Sequence, residues 1–227
     1  MTSLTRAAVE AAGPERSDAG ARRDSIRVDL QIIADMVAPG ARVLDVGCGD
    51  GALLDYLAHF KQVDGRGIEL SQAGVNACVS QGLSVIQGNA DTDLVDYPSA
   101  SFDYVILSQT LQATSNPHGV LREMVRIGRH AIVSFPNFGH WRIRWQLLTR
   151  GRMPRTDCLP HAWFESPNIH LCTVTDFRAL TDALDVVIER ALTVDRGGHR
   201  VRERRLGPLA NLFGEQAVYL LRGRAGS

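Results

Sequence analysis

Val43-Leu44-Asp45-Val46-Gly47-Cys48-Gly49-Asp50-Gly51 is the stretch that decides the fold of this chain. A short aliphatic run, three glycines on alternate positions and then a helical pattern over 52–59 describe a strand that turns sharply into a helix. Working outward, the same alternation repeats. Strands are expected at 42–46, 65–69, 83–87, 102–108 and 130–135, and helices at 71–81 and 117–127, with Ser71 as a helix N-cap. Upstream, Leu30, Ile33, Ala34 and Val37 recur at helical spacing and stop before Pro39-Gly40. Downstream come a Trp-bearing helix at 137–150, a loop at 151–168 holding three prolines, a helix at 176–184, and strands at 185–194 and 215–222. Strands alternating with helices specify an α/β fold, a largely parallel sheet with helices on both faces. The loop at 151–168 is long for a compact domain and marks a candidate functional insertion.

The glycines alone leave the ligand open, because Gly47-x-Gly49-x-x-Ala52 also satisfies the fingerprint of dinucleotide-binding turns. Asp45 separates the readings. It lies in the strand two residues before the first glycine, where a carboxylate repels a pyrophosphate and attracts a cation. S-adenosylmethionine (SAM) has no phosphate and carries an ammonium and a sulfonium. Glu69 closes the second strand 22 residues after Gly47, where a carboxylate can accept two hydrogen bonds from a ribose diol, and it fits both readings. The pattern favours SAM or S-adenosylhomocysteine on Asp45, Gly47, Cys48, Gly49 and Glu69. In Gly88-Asn89-Ala90-Asp91, Asn89 or Asp91 could reach the adenine amino group, or the loop could close on itself as an Asx turn. Leu70 and Ala90 would supply apolar walls.

Composition narrows the class. The chain has 227 residues, 44% of them hydrophobic, which excludes a wholly disordered polymer. Lys+Arg and Asp+Glu are 25 each, so overall charge recruits neither nucleic acid nor an anionic membrane. Residues 1–25 are poor in large apolar side chains and read as a disordered tail ahead of one domain at 26–227. No secretory or transit pattern, no membrane-length apolar run and no C-x-x-C pair is visible, so a reduced cytoplasmic protein is expected. Cys158, His161, His170 and Cys172 do not have the spacing of a closed zinc site, and no metal is expected. The arginines between 196 and 205 read either as a solvated loop or as a surface for an acidic partner.

Several long stretches resemble the MetW family of bacterial methionine-biosynthesis proteins, within the class I SAM-dependent methyltransferase fold. They are RVLDVGCGDGALL (42–54), VIQGNADTDL (85–94), FDYVILSQTLQAT (102–114), AIVSFPNFGHWRIR (131–144), GRMP (151–154), SPNIHLCTVTDF (166–177) and GEQAVYLLR (214–222). The resemblance runs from about Ile26 to Arg222. It implies a seven-stranded sheet of six parallel strands with the last antiparallel. It also implies a partner, the homoserine O-acyltransferase of methionine synthesis. One departure stands out: such proteins more often have Gly-Asp where this chain has Gly88-Asn89.

Methyl transfer would need an acceptor held in line with the sulfonium, often beside a base. The end of the 102–108 strand, Ser108-Gln109-Thr110-Leu111-Gln112, contains no acid and no histidine. That favours binding over catalysis and leaves catalytic residues unassigned, with an unknown small-molecule acceptor as the alternative. Ser108 joins the cofactor set; Gln109, Gln112, Asn137, His140, Trp141 and His170 are candidates for contact with a substrate or partner. His140, Trp141, Trp145, His161, Trp163 and His170 read either as a lid over the sulfonium or as an aromatic mini-core under a long loop. Arg27 is placed to contact the SAM carboxylate or to lie on the surface.

Overall fold

The computed structural model describes residues 26–195, 199–202 and 209–224. The expectations for residues 1–25 and for Arg196, Arg204 and Arg205 lie outside them. The elements in chain order are α1 (Val28–Met36), β1 (Arg42–Val46), α2 (Ala52–Lys61), β2 (Asp64–Glu69), α3 (Gln72–Ser80), β3 (Ser84–Gln87), β4 (Phe102–Ser108), α4 (Pro117–Ile127) and β5 (Gly128–Pro136). Then follow α5 (Trp141–Arg150), α6 (Val174–Ala183), β6 (Val186–Val194), β7 (Arg200–Arg202), α7 (Ala210–Phe213) and β8 (Gln216–Gly223).

One mixed sheet runs in the order β3-β2-β1-β4-β5-β8-β6-β7. Strands β1 to β5 pair in parallel, and β8 lies antiparallel between β5 and β6. The seven expected strands are all present. An eighth, β7, extends the edge antiparallel to β6, from Val194↔Arg200 to Leu192↔Arg202. The sequence reading missed it because a three-residue arginine-flanked strand has no hydrophobic alternation to announce it.

The core obeys the period of two that a sheet imposes. Leu44 and Val46, Val105 and Leu107, Val133 and Phe135, and Tyr219 point to one face, where α4 and α6 cover them. Val43, Ile106, Ile132 and Val218 point to the other, where α1 and α2 cover them. On the α2 side, Cys78 of α3 closes on Cys48 and Leu54.

Helix starts follow their caps. Ser71 accepts from Gly74 N at 3.5 Å, and Asn116 accepts from Gly119 N at 3.0 Å. Helix α6 begins at Val174, earlier than the sequence pattern suggested, because Thr173 and Asp176 form a reciprocal capping box. Helix α5 begins later than expected, at Trp141, because Asn137 is engaged elsewhere. Its amide nitrogen donates to the carbonyls of Asn211 and Gly214, at 2.9 and 2.7 Å. Its amide oxygen accepts from Gly139 N and Val174 N, at 3.0 and 3.1 Å. One buried side chain thus ties the end of β5 to α6 and to the approach to β8. Replacing Asn137 with Ala leaves these buried groups unpaired. The expected loss of stability is about 3 kcal/mol, read as a shift in the urea-unfolding midpoint at unchanged slope.

Candidate ligand site at the glycine turn

The strand order reverses between β1 and β4, so the connections leaving these two strands diverge and open a crevice at their carboxyl ends. A cavity of about 260 Å³ lies there, lined among others by Arg27, Asp45, Gly47, Gly49 and Ser108. Gly47, Gly49 and Gly51 all have left-handed backbone, with φ of 72°, 60° and 82°. A Cβ on Gly47 would lie 2.8 Å from Thr110 Oγ1, so a side chain there would drive β1 and β4 apart. At Gly49 nothing lies within 4 Å of a Cβ, and the space over the loop is open to a ligand.

Carboxylates dominate this turn. Glu69 Oε2 accepts from Gly49 N at 2.9 Å and Glu69 Oε1 from Ser71 N at 2.8 Å. Asp50 Oδ1 accepts from Ala52 N at 3.2 Å. Backbone amides that would cradle a pyrophosphate are thus already facing anions, and a dinucleotide phosphate would meet repulsion. Asp45 is buried, and its Oδ1 has no hydrogen-bond partner. Burial pushes its pKa up to about 7; Arg27 opposes the shift and Glu69 adds to it. Burial likewise pushes the Cys48 thiol well above its ordinary range, so Cys48 packs rather than reacts.

Beside the cavity lies a polar hub that the sequence reading missed. Asp29 Oδ2 accepts from Arg27 Nη2 at 3.1 Å, from Gln109 Nε2 at 3.1 Å and from Ser108 Oγ at 3.3 Å. Ser134 Oγ lies 3.5 Å from the same oxygen. Arg27 also donates to Ser108 Oγ at 3.1 Å. Asp29 is buried although it sits in the first turn of α1, where an acid usually reads as a favourable charge at a helix start. Only the folding of α1 over β4 and β5 reveals its role. The hub places Ser108 and Gln109 together at the cavity edge, and Arg27 with them.

The remaining candidates are distributed. Asn89 Oδ1 accepts from Asp91 N at 2.9 Å, an Asx turn, while the Asp91 carboxylate accepts from Ser115 N and Asn116 N at 2.8 and 2.9 Å. Leu70 is exposed next to Glu69, and Ala90 packs on the core. Gln112 is buried, with neither amide atom paired, beside a small cavity that His170 also lines. His140 is buried, and burial together with nearby Arg142 holds its imidazole below the ordinary pKa. His140, Trp141 and His170 are not in the lining of the glycine-turn cavity. The aromatic mini-core is not formed either, since Trp141, Trp145 and Trp163 are all exposed.

Asp45 makes stability depend on pH in a defined direction. Its folded pKa is raised, so between about pH 4 and about pH 7 the folded chain holds a proton that the unfolded chain releases. The contribution is fully present below pH 4 and is lost as pH rises through 7, to the extent of on the order of 4 kcal/mol. Asp45→Asn is therefore expected to stabilise the ligand-free protein at pH 8 and to change it little at pH 4. Urea unfolding of both proteins across this range checks it; parallel curves would refute the assignment.

Comparison with known proteins agrees with this architecture. The family model described as methionine biosynthesis protein MetW matches residues 27–221. The bifunctional methionine biosynthesis protein MetXA/MetW of Rhodopirellula baltica is 36% identical over 184 residues, 76% of this chain and 30% of that protein. The chain spans 30–44% of the length of the curated relatives it matches. A SAM-dependent methyltransferase of Thermotoga maritima, described as a possible histamine N-methyltransferase, superposes with a TM-score of 0.64 at 14% identity, covering 92% of this chain and 95% of that one. The [4+2]-cyclase SpnF superposes with a TM-score of 0.60 at 17% identity, covering 87% of this chain and 81% of that one. A cyclase on this scaffold means that the fold does not fix the reaction. The sheet order, the glycine turn and the match over 27–221 lead to one conclusion: the chain belongs to the MetW family of methionine biosynthesis proteins.

Proposed function

We propose that this protein binds SAM or S-adenosylhomocysteine at the glycine turn and acts as the SAM-responsive partner of a homoserine O-acyltransferase. The observation that carries the partner is the Rhodopirellula relative, whose name joins MetXA and MetW in one polypeptide. The ligand reading is supported by the fit of the cavity to a cation. Asp45 offers a buried carboxylate with an unpaired oxygen to the ammonium and sulfonium. Glu69 is held by two backbone amides, and each of its oxygens retains a lone pair for a ribose hydroxyl. Arg27 stands at the cavity for the carboxylate of the methionyl group. Leu70 and Ala90 flank the adenine, Asn89 and Asp91 supply polar groups around it, and Ser108 contacts the methionyl end. The protein works in the cytoplasm.

The alternative is methyl transfer from bound SAM to a small acceptor, which the fold of many structural relatives supports. Against it stands the environment of the β4 end. Ser108 and Gln109 are hydrogen-bonded to Asp29, itself paired with Arg27 at 3.1 Å, and no histidine lines the cavity. The β4 end itself, Ser108 to Gln112, carries no carboxylate or imidazole to take a proton from an acceptor there. Gln109, Gln112 and His170 are instead proposed to shape the contact with an acceptor or with the partner subunit, together with Asn137 and His140 as supports and Trp141 at the surface.

Glu69→Ala is expected to weaken SAM binding on the order of tenfold to a hundredfold, because a charge-assisted acceptor contributes roughly 1.5–3 kcal/mol. Calorimetry with the folded variant checks it, and unchanged affinity sinks the ribose assignment.

Regulation requires that SAM bind the free protein and the acyltransferase complex unequally, since a ligand with equal affinity shifts no equilibrium. Titrating SAM at fixed amounts of both proteins is expected to change acyltransferase activity about fivefold or more, with no S-adenosylhomocysteine formed. Acceptor-dependent appearance of S-adenosylhomocysteine would instead establish the methyltransferase.

A further inference from the structure

Helix α5 is amphipathic the wrong way round. A helix packed on a domain normally turns its apolar stripe inward. Here Ile143 is the one buried residue of α5. Trp141, Trp145 and Leu148, spaced i, i+4 and i+7 along one stripe, are instead 44%, 60% and 80% exposed. The segment that follows repeats the feature: Met153, Trp163 and Phe164 are exposed as well, and Trp163 packs edge-on to Phe164 in solvent. The three on α5 share one stripe, and large apolar side chains gathered in that way mark an interaction site, whereas scattered ones do not.

The charge on this stretch is predominantly positive. Between 141 and 168 the chain carries Arg142, Arg144, Arg150, Arg152 and Arg155 against Asp157 and Glu165. Arg142 lies 5.5 Å over the Trp141 ring. Tryptophan, arginine and methionine are the residues enriched in the energetic centres of protein interfaces. A notch of about 460 Å³ lies between α5 and the loop, lined by Trp141, Trp145 and Arg150 of the helix and by Arg155 and Asp157 of the loop, with Glu215 beside them. The complementary surface is therefore an apolar projection bordered by carboxylates.

We propose that this face of α5, with the notch beside it, is the docking surface for the homoserine O-acyltransferase subunit. The inference rests on the function proposed above and adds the surface. The face is positioned for regulation. Helix α5 follows β5, and β5 carries Ser134, which hydrogen-bonds Ser108 at 3.2 Å beside the glycine-turn cavity. Strand β5 thus runs from the polar hub to the segment that leads into α5.

The test uses the full chain and purified homoserine O-acyltransferase from the same source, with complex formation measured by analytical ultracentrifugation in defined salt. Trp145→Ser combined with Leu148→Ser is expected to weaken the complex at least a hundredfold. Thermal unfolding and SAM affinity should stay unchanged, because both side chains face water. Arg150→Glu with Arg155→Glu should weaken it at least tenfold and flatten its salt dependence. Ile86→Ser with Val95→Ser, exposed apolar residues outside this face, should leave it intact. If the wild-type protein binds the acyltransferase and the Trp145/Leu148 variant binds equally well, the surface is refuted and the function stands. If the wild-type protein does not bind the acyltransferase, the function itself fails. If the variant only converts a self-associated form to a monomer, the occupant is a second copy of this chain and the proposal is overturned.

Discussion

The seam between β1 and β4 is the constraint on which the rest of this molecule depends. Their parallel register, Val43↔Tyr104 to Asp45↔Ile106, brings together two strands about sixty residues apart in the chain. On either side of the seam the connections leave in opposite directions, so a parallel sheet must leave a gap there. Arg27, Asp45, Gly47, Gly49 and Ser108 line the cavity in that gap. Gly47 is its consequence: β1 has to stop and turn toward α2 without placing a Cβ against Thr110, and only glycine satisfies both the backbone angle and the clearance there.

Two buried carboxylates stand at the seam with different sets of partners. Asp29 is met by a guanidinium, two hydroxyls and an amide. Asp45 has one oxygen with no partner, and burial raises its pKa to about 7. An uncompensated buried acid is costly to keep, and such costs concentrate at functional sites. A cation entering the cavity would favour the charged form of Asp45 and release its proton.

The periphery obeys different rules. Asn137 has its hydrogen-bonding atoms occupied by the backbone of three other segments, which makes it a joint of the fold. The tryptophans beyond it, Trp141, Trp145 and Trp163, are exposed. Stability and interaction are thus divided along one short stretch, with the joint at 137–140 and the exposed face from 141 onward. Such a division lets the outer face change without unfolding the sheet.

Sequence alone determined the strand–turn–helix at 43–59, the alternation that makes the sheet parallel, and the acid at the end of β2. All of these are local: glycine backbone freedom, a two-residue period and a fixed spacing carry them. Strand β4 and helix α4 were legible to the residue because an apolar run and an Asn-Pro cap bound them. The Asp29 hub was not legible, because Ser108, Gln109 and Ser134 lie 79 to 105 residues away from it and a surface-type acid at a helix start looks the same in either role. Nor was the exposure of the tryptophans. Their helical spacing is identical whether the stripe faces core or solvent, and burial is decided by what lies opposite. Asn89 and Asp91 show the same limit: polar residues in a loop can serve a ligand or the backbone, and only the folded loop brought Ser115 and Asn116 within reach of Asp91. The local backbone was written in residue type and spacing, whereas the pairing of polar groups and the facing of apolar ones depended on neighbours that only the tertiary structure supplies.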